Sequence, residues 1–337
     1  TGGDNINDYE FYFNGISLGQ WSEEFNVVSL GVYPENFPAE IELTTSSTVI
    51  PAPAYGISSD TGYYLVNDNS LVAKNTGVPL VFGASNVKKL FKGRGRSLDV
   101  MALNDIDFLI YPGEVIGIVG ESGSGKSTLS RILVGIEKAT EGKVLHNGEA
   151  VESPDDWQKL RLDIQYIFQD PFLSLAPHMT VGQSIRDGLD IRGEGTPLER
   201  DERVSKILEL VGLKASDANS YPAVFSGGQK QRICLARALI LNPKVIICDE
   251  IVSGLDVSVQ AQILNLLVEL NQKNGVGLIF VSHDLRVVKY LCQRIIVMHQ
   301  GLIVEANNTE ELFSNPKHEY TQHLLSSVPA GLSIAGV

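Results

Sequence analysis

The stretch Val115-Ile-Gly-Ile-Val-Gly-Glu-Ser-Gly-Ser-Gly-Lys-Ser-Thr128 decides how the rest of the chain reads. Val115–Val119 is an apolar run of strand length, and Gly120 to Thr128 fits the pattern G-x-x-x-x-G-K-[ST]. From Lys126 to Val134 the apolar positions take on helical spacing. Strand, glycine-rich loop and helix in this order make a phosphate cradle. Gly120, Gly123 and Gly125 let the backbone turn tightly, so that successive N–H groups point at phosphate oxygens. The helix N-terminus adds its positive dipole end. Lys126 would place a point charge on the β- and γ-phosphates, and the Ser127 hydroxyl would ligate Mg²⁺. Glu121, Ser122, Ser124 and Thr128 complete the candidate ATP-binding loop. A Gly/Ser loop that fits by chance is the plain alternative, and the flanking strand and helix argue against it.

Downstream, Lys244-Val-Ile-Ile-Cys-Asp-Glu250 is an apolar strand ending in two acids. In a parallel sheet, functional groups collect at the carboxyl ends of strands. Asp249 then suits a contact to Mg²⁺ through water, and Glu250 is the candidate to polarise an attacking water. A strand ending at a charged surface turn would look similar, but would not need the phosphate loop beside it. A second cradle follows from Phe225-Ser-Gly-Gly-Gln-Lys-Gln-Arg232, where Ser226, Gly227, Gly228 and Gln229 open the helical pattern Gln229–Leu241. Taken alone this is a simple N-cap. One nucleotide does not need two cradles, whereas two chains meeting head-to-tail would use both. Kinase and GTPase readings have no use for the second.

Outward from these motifs, strand candidates at Ile164–Phe168, Val245–Cys248, Leu278–Val281 and Ile295–His299 alternate with helical patterns at Glu199–Val211, Ser258–Lys273 and Leu285–Leu291. This alternation predicts an α/β domain with a mainly parallel sheet. Residues 172–225 interrupt it and read as an inserted helical subdomain. Residues 1–80 differ in texture: ten acidic residues stand against the one base Lys74, within a total net charge of −13. They are rich in Gly, Asn, Ser, Thr, Tyr and Pro and carry no catalytic constellation. Short strands and loops fit best, with Pro51 and Pro53 forcing an extended path.

The chain has 337 residues, 43% hydrophobic and 20% charged, the composition of an ordinary globular protein. Acidic charge speaks against a nucleic-acid binder. Cys234, Cys248 and Cys292 show no metal or disulfide spacing, which fits a reducing compartment. Apolar runs such as Val276–Val281 fall far short of the roughly 18 residues a spanning helix needs. No signal-peptide pattern is read at the start, which is Thr1 and not Met.

Three further motifs stand in order with the two cradles: Phe168-Gln-Asp-Pro171, Ser253-Gly-Leu-Asp256 and Val281-Ser-His-Asp-Leu285. With them the chain resembles an ABC ATPase over about 81–329. The resemblance implies the P-loop NTPase core of ABC type, with an antiparallel β-subdomain and a helical subdomain at about 170–228. It leaves 1–80 as a β- or loop-rich extension or linker and 330–337 as a tail. It also implies roles. Gln169 couples the site to membrane subunits and reaches the metal with Ser127 and Asp249. Asp256 crosses a dimer interface, and His283 contacts the γ-phosphate. Lys126, Gln169, Glu250 and His283 are then the expected catalytic set, with ATP and Mg²⁺ as cofactors.

The runs Gln165–Leu175, Met179–Ile185 and Ser253–Leu267 resemble the ATPases of the oligopeptide/dipeptide importer group, which includes glutathione and nickel importers. So does Asn315-Pro-Lys-His-Glu-Tyr-Thr-Gln-His-Leu-Leu-Ser-Ser-Val-Pro329. This implies peripheral attachment at the cytoplasmic face of the cell membrane. The implied partners are a second ATPase domain (identical or homologous), membrane permease subunits and, indirectly, an extracytoplasmic solute-binding protein. Two departures stand out: Ile251 replaces the group's usual proline, and Gly254 its common alanine. No cysteine follows Cys292, so no iron–sulfur cluster is expected. Phe91 is a candidate for stacking on adenine, and the strand near Val100–Leu103 offers none. The rival readings are a non-transport ABC ATPase acting on ribosomes or nucleic acid, and a scaffold with an idle nucleotide fold.

Overall fold

The computed structural model describes residues 81–93 and 98–327, with 172 and 173 described by backbone alone, and seven strands between residues 8 and 64 as backbone. The expected tail 330–337 lies outside the described residues. The chain divides into two compact units, Thr1–Pro79 and Leu80–Val337. In the first, β1 (Asp8–Phe13), β2 (Ile16–Ser22), β3 (Val27–Leu30), β4 (Glu40–Thr45) and β5 (Val49–Pro53) form an antiparallel sheet in the order β3-β2-β1-β4-β5. Pro51 and Pro53 fall on β5, an edge strand, where a missing N–H need cost no ladder bond. β6 (Ile57–Ser59) and β7 (Gly62–Tyr64) pair as a separate hairpin.

The second unit opens with β8 (Phe82–Phe91) and β9 (Val100–Ile110), an antiparallel pair. The strand β10 (Val115–Val119) and helix α1 (Lys126–Leu133) follow, then β11 (Glu141–His146) and β12 (Glu149–Ala150), which join the first pair in a four-stranded sheet ordered β12-β11-β8-β9. After α2 (Pro154–Asp163) comes β13 (Ile164–Ile167) and then the helical insertion: α3 (Pro171–Ser174), α4 (Val181–Arg192) and α5 (Pro197–Leu210). The chain returns through α6 (Gly227–Leu239), β14 (Val245–Asp249), α7 (Val257–Asn274), β15 (Gly277–Val281), α8 (Leu285–Leu291) and β16 (Arg294–His299). It closes with β17 (Leu302–Asn308), α9 (Thr309–Ser314) and α10 (Glu319–Ser326). The main sheet runs β13-β14-β15-β10-β16-β17, parallel except for β17 at its edge.

Side chains alternate across this sheet, and both faces are covered. Val115 and Val119 enter one core with Ile246, Cys248, Leu278, Phe280, Ile295 and Val297, beside α6, α7 and α8. Ile116 and Ile118 enter the other with Val245, Ile247, Ile279, Val281, Ile296 and Met298, beside α1 and the antiparallel sheet. A strand buried on both faces must be apolar at every position, which is why these strands read as unbroken hydrophobic runs. The insertion gets its stripe from Val181, Ile185 and Leu189 on α4 and from Val204 and Leu208 on α5. Its helices start at capping boxes, where Thr180 and Thr196 accept the N–H groups of Gln183 and Glu199. The expected strands and helices agree with the observed ones to within two residues. Ile251 is buried in the first core, and Gly254 has φ +72°, a region where alanine is strained, so both departures suit their positions.

Candidate functional site

The glycine-rich loop joins the buried end of β10 to α1. Gly120, Gly123 and Gly125 hold φ of 149°, 83° and 106°, all in the region that favours glycine. A Cβ on Gly120 would sit 2.1 Å from the Met298 carbonyl oxygen. Gly120→Ala therefore combines a clash with backbone strain and is expected to cost at least about 2 kcal/mol, read as a lowered midpoint in thermal unfolding. α1 has no side-chain cap and no acid in its first turn, so its N-terminus is suited to an outside anion.

Lys126 is only 5% exposed, and its ammonium donates to Gly120 O at 2.7 Å, Glu121 O at 2.8 Å and Ser124 Oγ at 3.4 Å. Burial holds its pKa below the ordinary lysine value, against the opposing pull of Glu250, Asp249 and Glu121. A cation short of solvation and surrounded by carbonyls is poised to exchange them for phosphate oxygens.

Asp249, at the end of β14, is 1% exposed. Its Oδ1 accepts from Ser127 Oγ at 3.1 Å and its Oδ2 from the Tyr166 hydroxyl at 2.6 Å. Burial first, then the Asp249 charge, push the Tyr166 phenol up, so it stays a protonated donor. The sequence pattern alone gives Tyr166 no role; its one signal is a hydroxyl-bearing ring on β13, between Gln165 and the buried Ile167. The hard oxygens of Ser127 and Asp249 are the donor type that magnesium prefers, so the residues fit that ion. Gln169 is held at the residue next to this pair. Its Nε2 donates to Glu250 Oε2 at 2.8 Å.

Glu250 has φ +51°, unusual for a residue with a Cβ, and its N–H donates to Val281 O at 3.0 Å. The turn this makes sets its carboxylate between Gln169 and His283, whose Nδ1 lies 3.5 Å from Oε1. Phosphate loop, acidic strand end, glutamine and histidine thus converge from four separate segments.

The second cradle stands apart. Ser226 caps α6: its N–H donates to Gln229 Oε1 at 3.0 Å, and the Gln229 N–H returns to Ser226 Oγ at 3.4 Å. Gly227 follows in the first turn, and Gly228 is required because a Cβ there would meet Val259 Cγ1 at 2.4 Å. Among the described residues no hydrogen bond or ion pair joins Ser226–Gln229 to the phosphate loop. Ser226, Gln229 and Asp256 are exposed, and Asp256 stands at the N-cap position of α7 without capping it. Phe91 is 41% exposed, with the Lys89 ammonium 4.8 Å from its ring centroid.

A phosphate loop after β10 of a parallel sheet, with an acid pair at the end of β14, one strand removed from it, defines a P-loop nucleoside triphosphatase. The ABC transporter family matches over residues 103–253. A Brucella ovis protein named for peptide import as an ATP-binding protein is 48% identical over 237 residues, covering 70% of this chain and 75% of that one. The glutathione import ATP-binding protein GsiA of Salmonella typhi is 49% identical over 233 residues, 68% of this chain and 37% of that longer protein. Among solved structures, a dimeric ATP-binding cassette in a post-hydrolysis state bound to ADP and Pi superposes with a TM-score of 0.61 at 32% identity, covering 68% of this chain and 98% of that one. The chain belongs to the ABC transporter family and is one of its ATP-binding, ATP-hydrolysing cassettes.

Proposed function

We propose that this cassette drives import of peptides or glutathione-like solutes through a membrane transporter, working as one half of a nucleotide-sandwich dimer on the cytoplasmic face. The single observation that carries the dimer is that Ser226 and Gln229 of the second cradle are exposed and, among the described residues, make no hydrogen bond or ion pair to the first. Each phosphate loop is then completed by the Ser226–Gln229 turn of a second cassette, identical or homologous, with Asp256 at the shared face. Similarity to proteins named for peptide and glutathione import supports the cargo class.

In the closed site Gly120–Thr128 cradle the phosphates, and Lys126 moves its ammonium onto the β- and γ-phosphates. Ser127 and Asp249 would hold magnesium, which would supply positive charge against the phosphates. Gln169 and His283 hold Glu250 from two sides. Glu250 takes a proton from water as its oxygen bonds to the γ-phosphorus and the bond to the β-bridging oxygen breaks, leaving ADP and phosphate. His283 stabilises the charge on the γ-phosphate oxygens. The insertion 170–228 and Gln169 carry closure to the permease subunits.

Affinity purification from detergent-solubilised membranes tests the transport reading. Permease subunits with several spanning helices are expected to come with the chain, and with a solute-binding protein they should take peptide into vesicles only when ATP is supplied. Recovery with ribosomes or nucleic acid in their place would reject it.

A further inference from the structure

The C-terminal helix α10 plays no part in the chemistry above, yet it touches the phosphate loop. The Tyr320 hydroxyl accepts the Glu121 N–H at 3.0 Å. The Tyr320 ring stacks on His299, at the end of β16, with centroids 3.9 Å apart and 30° between planes. The segment carrying it is itself anchored. Glu305 of β17 accepts the N–H groups of Lys317 and His318 at 2.9 and 3.0 Å. His318 Nδ1 then accepts the Tyr320 N–H at 3.1 Å, and Leu324 and Leu325 pack against the first core.

Glu121 N and Gly120 O belong to one peptide unit. Lys126 holds its carbonyl at 2.7 Å and Tyr320 holds its N–H. Gly120 lies at φ 149° with no side chain to restrain it, so the orientation of this peptide depends on these two bonds. As Lys126 turns its donors toward phosphate, its hold on this carbonyl weakens. The tyrosine then remains as the polar restraint that keeps the first peptide of the loop from turning.

We propose that Tyr320 is a positioning residue for nucleotide binding, fixing the Gly120–Glu121 peptide through its hydroxyl while Lys126 exchanges the loop carbonyls for phosphate. This rests on the ATP-binding reading of the loop. Tyr320→Phe keeps the ring on His299 and removes only the acceptor. Titrating the full chain with the fluorescent analogue mant-ATP and magnesium should show the Kd raised about five-fold, the factor one neutral hydrogen bond is worth. The turnover rate at saturating ATP should stay at the wild-type value, and the thermal midpoint of the nucleotide-free chain should fall by no more than about 2–4 °C, the loss of the one bond made there. An unchanged Kd overturns the proposal, as does a rise accompanied by a larger fall of the thermal midpoint, which would make the tyrosine merely structural. Failure of the wild-type chain to bind mant-ATP would instead remove the ATP reading beneath it.

Discussion

Lys126→Ala is expected to lower ATP affinity by about a hundred-fold or more while leaving the fold intact. The ammonium stands in the mouth of the loop, bonded to two carbonyls of the residues that would surround phosphate. Each charge-assisted bond it transfers to ATP is worth about 1.5–3 kcal/mol, so two of them account for the factor. The nucleotide-free chain gains little from the same group. Its pKa is lowered in the folded state by burial. A lysine with that sign of shift costs stability wherever both states are protonated, and the cost is relieved as pH rises from the lowered folded-state value toward the ordinary lysine value. Removing it gives back that cost and sacrifices the bonds to Gly120 O, Glu121 O and Ser124 Oγ, two opposing changes. Equilibrium binding of mant-ATP alongside thermal unfolding checks both halves. Retained affinity in Lys126→Ala would show that the loop holds phosphate by its amides alone.

Glu250→Gln should slow hydrolysis by about 10²–10⁴-fold, the range for losing a general base, with ATP affinity near that of the wild type. The amide keeps the shape of the carboxylate, and its oxygen can still accept from Gln169 Nε2, now at 2.8 Å from Oε2. What it cannot do is accept the proton of the attacking water. A dimer that closes on ATP and opens on hydrolysis should then persist, visible as an ATP-dependent dimer in size-exclusion chromatography. Wild-type turnover in this variant would dismiss Glu250 as the base. Tyr166 makes a useful contrast: it fixes Asp249 and not Glu250, so its loss should weaken metal-dependent binding more than proton transfer.

Much of the site was legible in the chain because its residues act through their immediate neighbours. The cradle at 120–128 needs glycines where φ is positive and a lysine at the helix start, and both are local demands. The buried strands were legible for a different reason: burial on both faces leaves no position for a polar side chain. The antiparallel sheet of β8, β9, β11 and β12 was less so. Its strands mix buried and exposed positions, and bulges break their alternation, so only resemblance pointed to them.

What the sequence determined by itself, then, is the α/β alternation, the two glycine-rich helix starts and the place of the acid pair at a strand end, since each is written in contiguous residues. What the tertiary structure alone decided is who meets whom. Gln169 donates to Glu250, Tyr166 holds Asp249, and Tyr320 reaches back across the chain to Glu121. Those partners are 81, 83 and 199 residues apart, and no local pattern records such a pairing. The parallel order β13-β14-β15-β10-β16 brings them together, because it gathers the carboxyl ends of distant strands along one edge of the sheet.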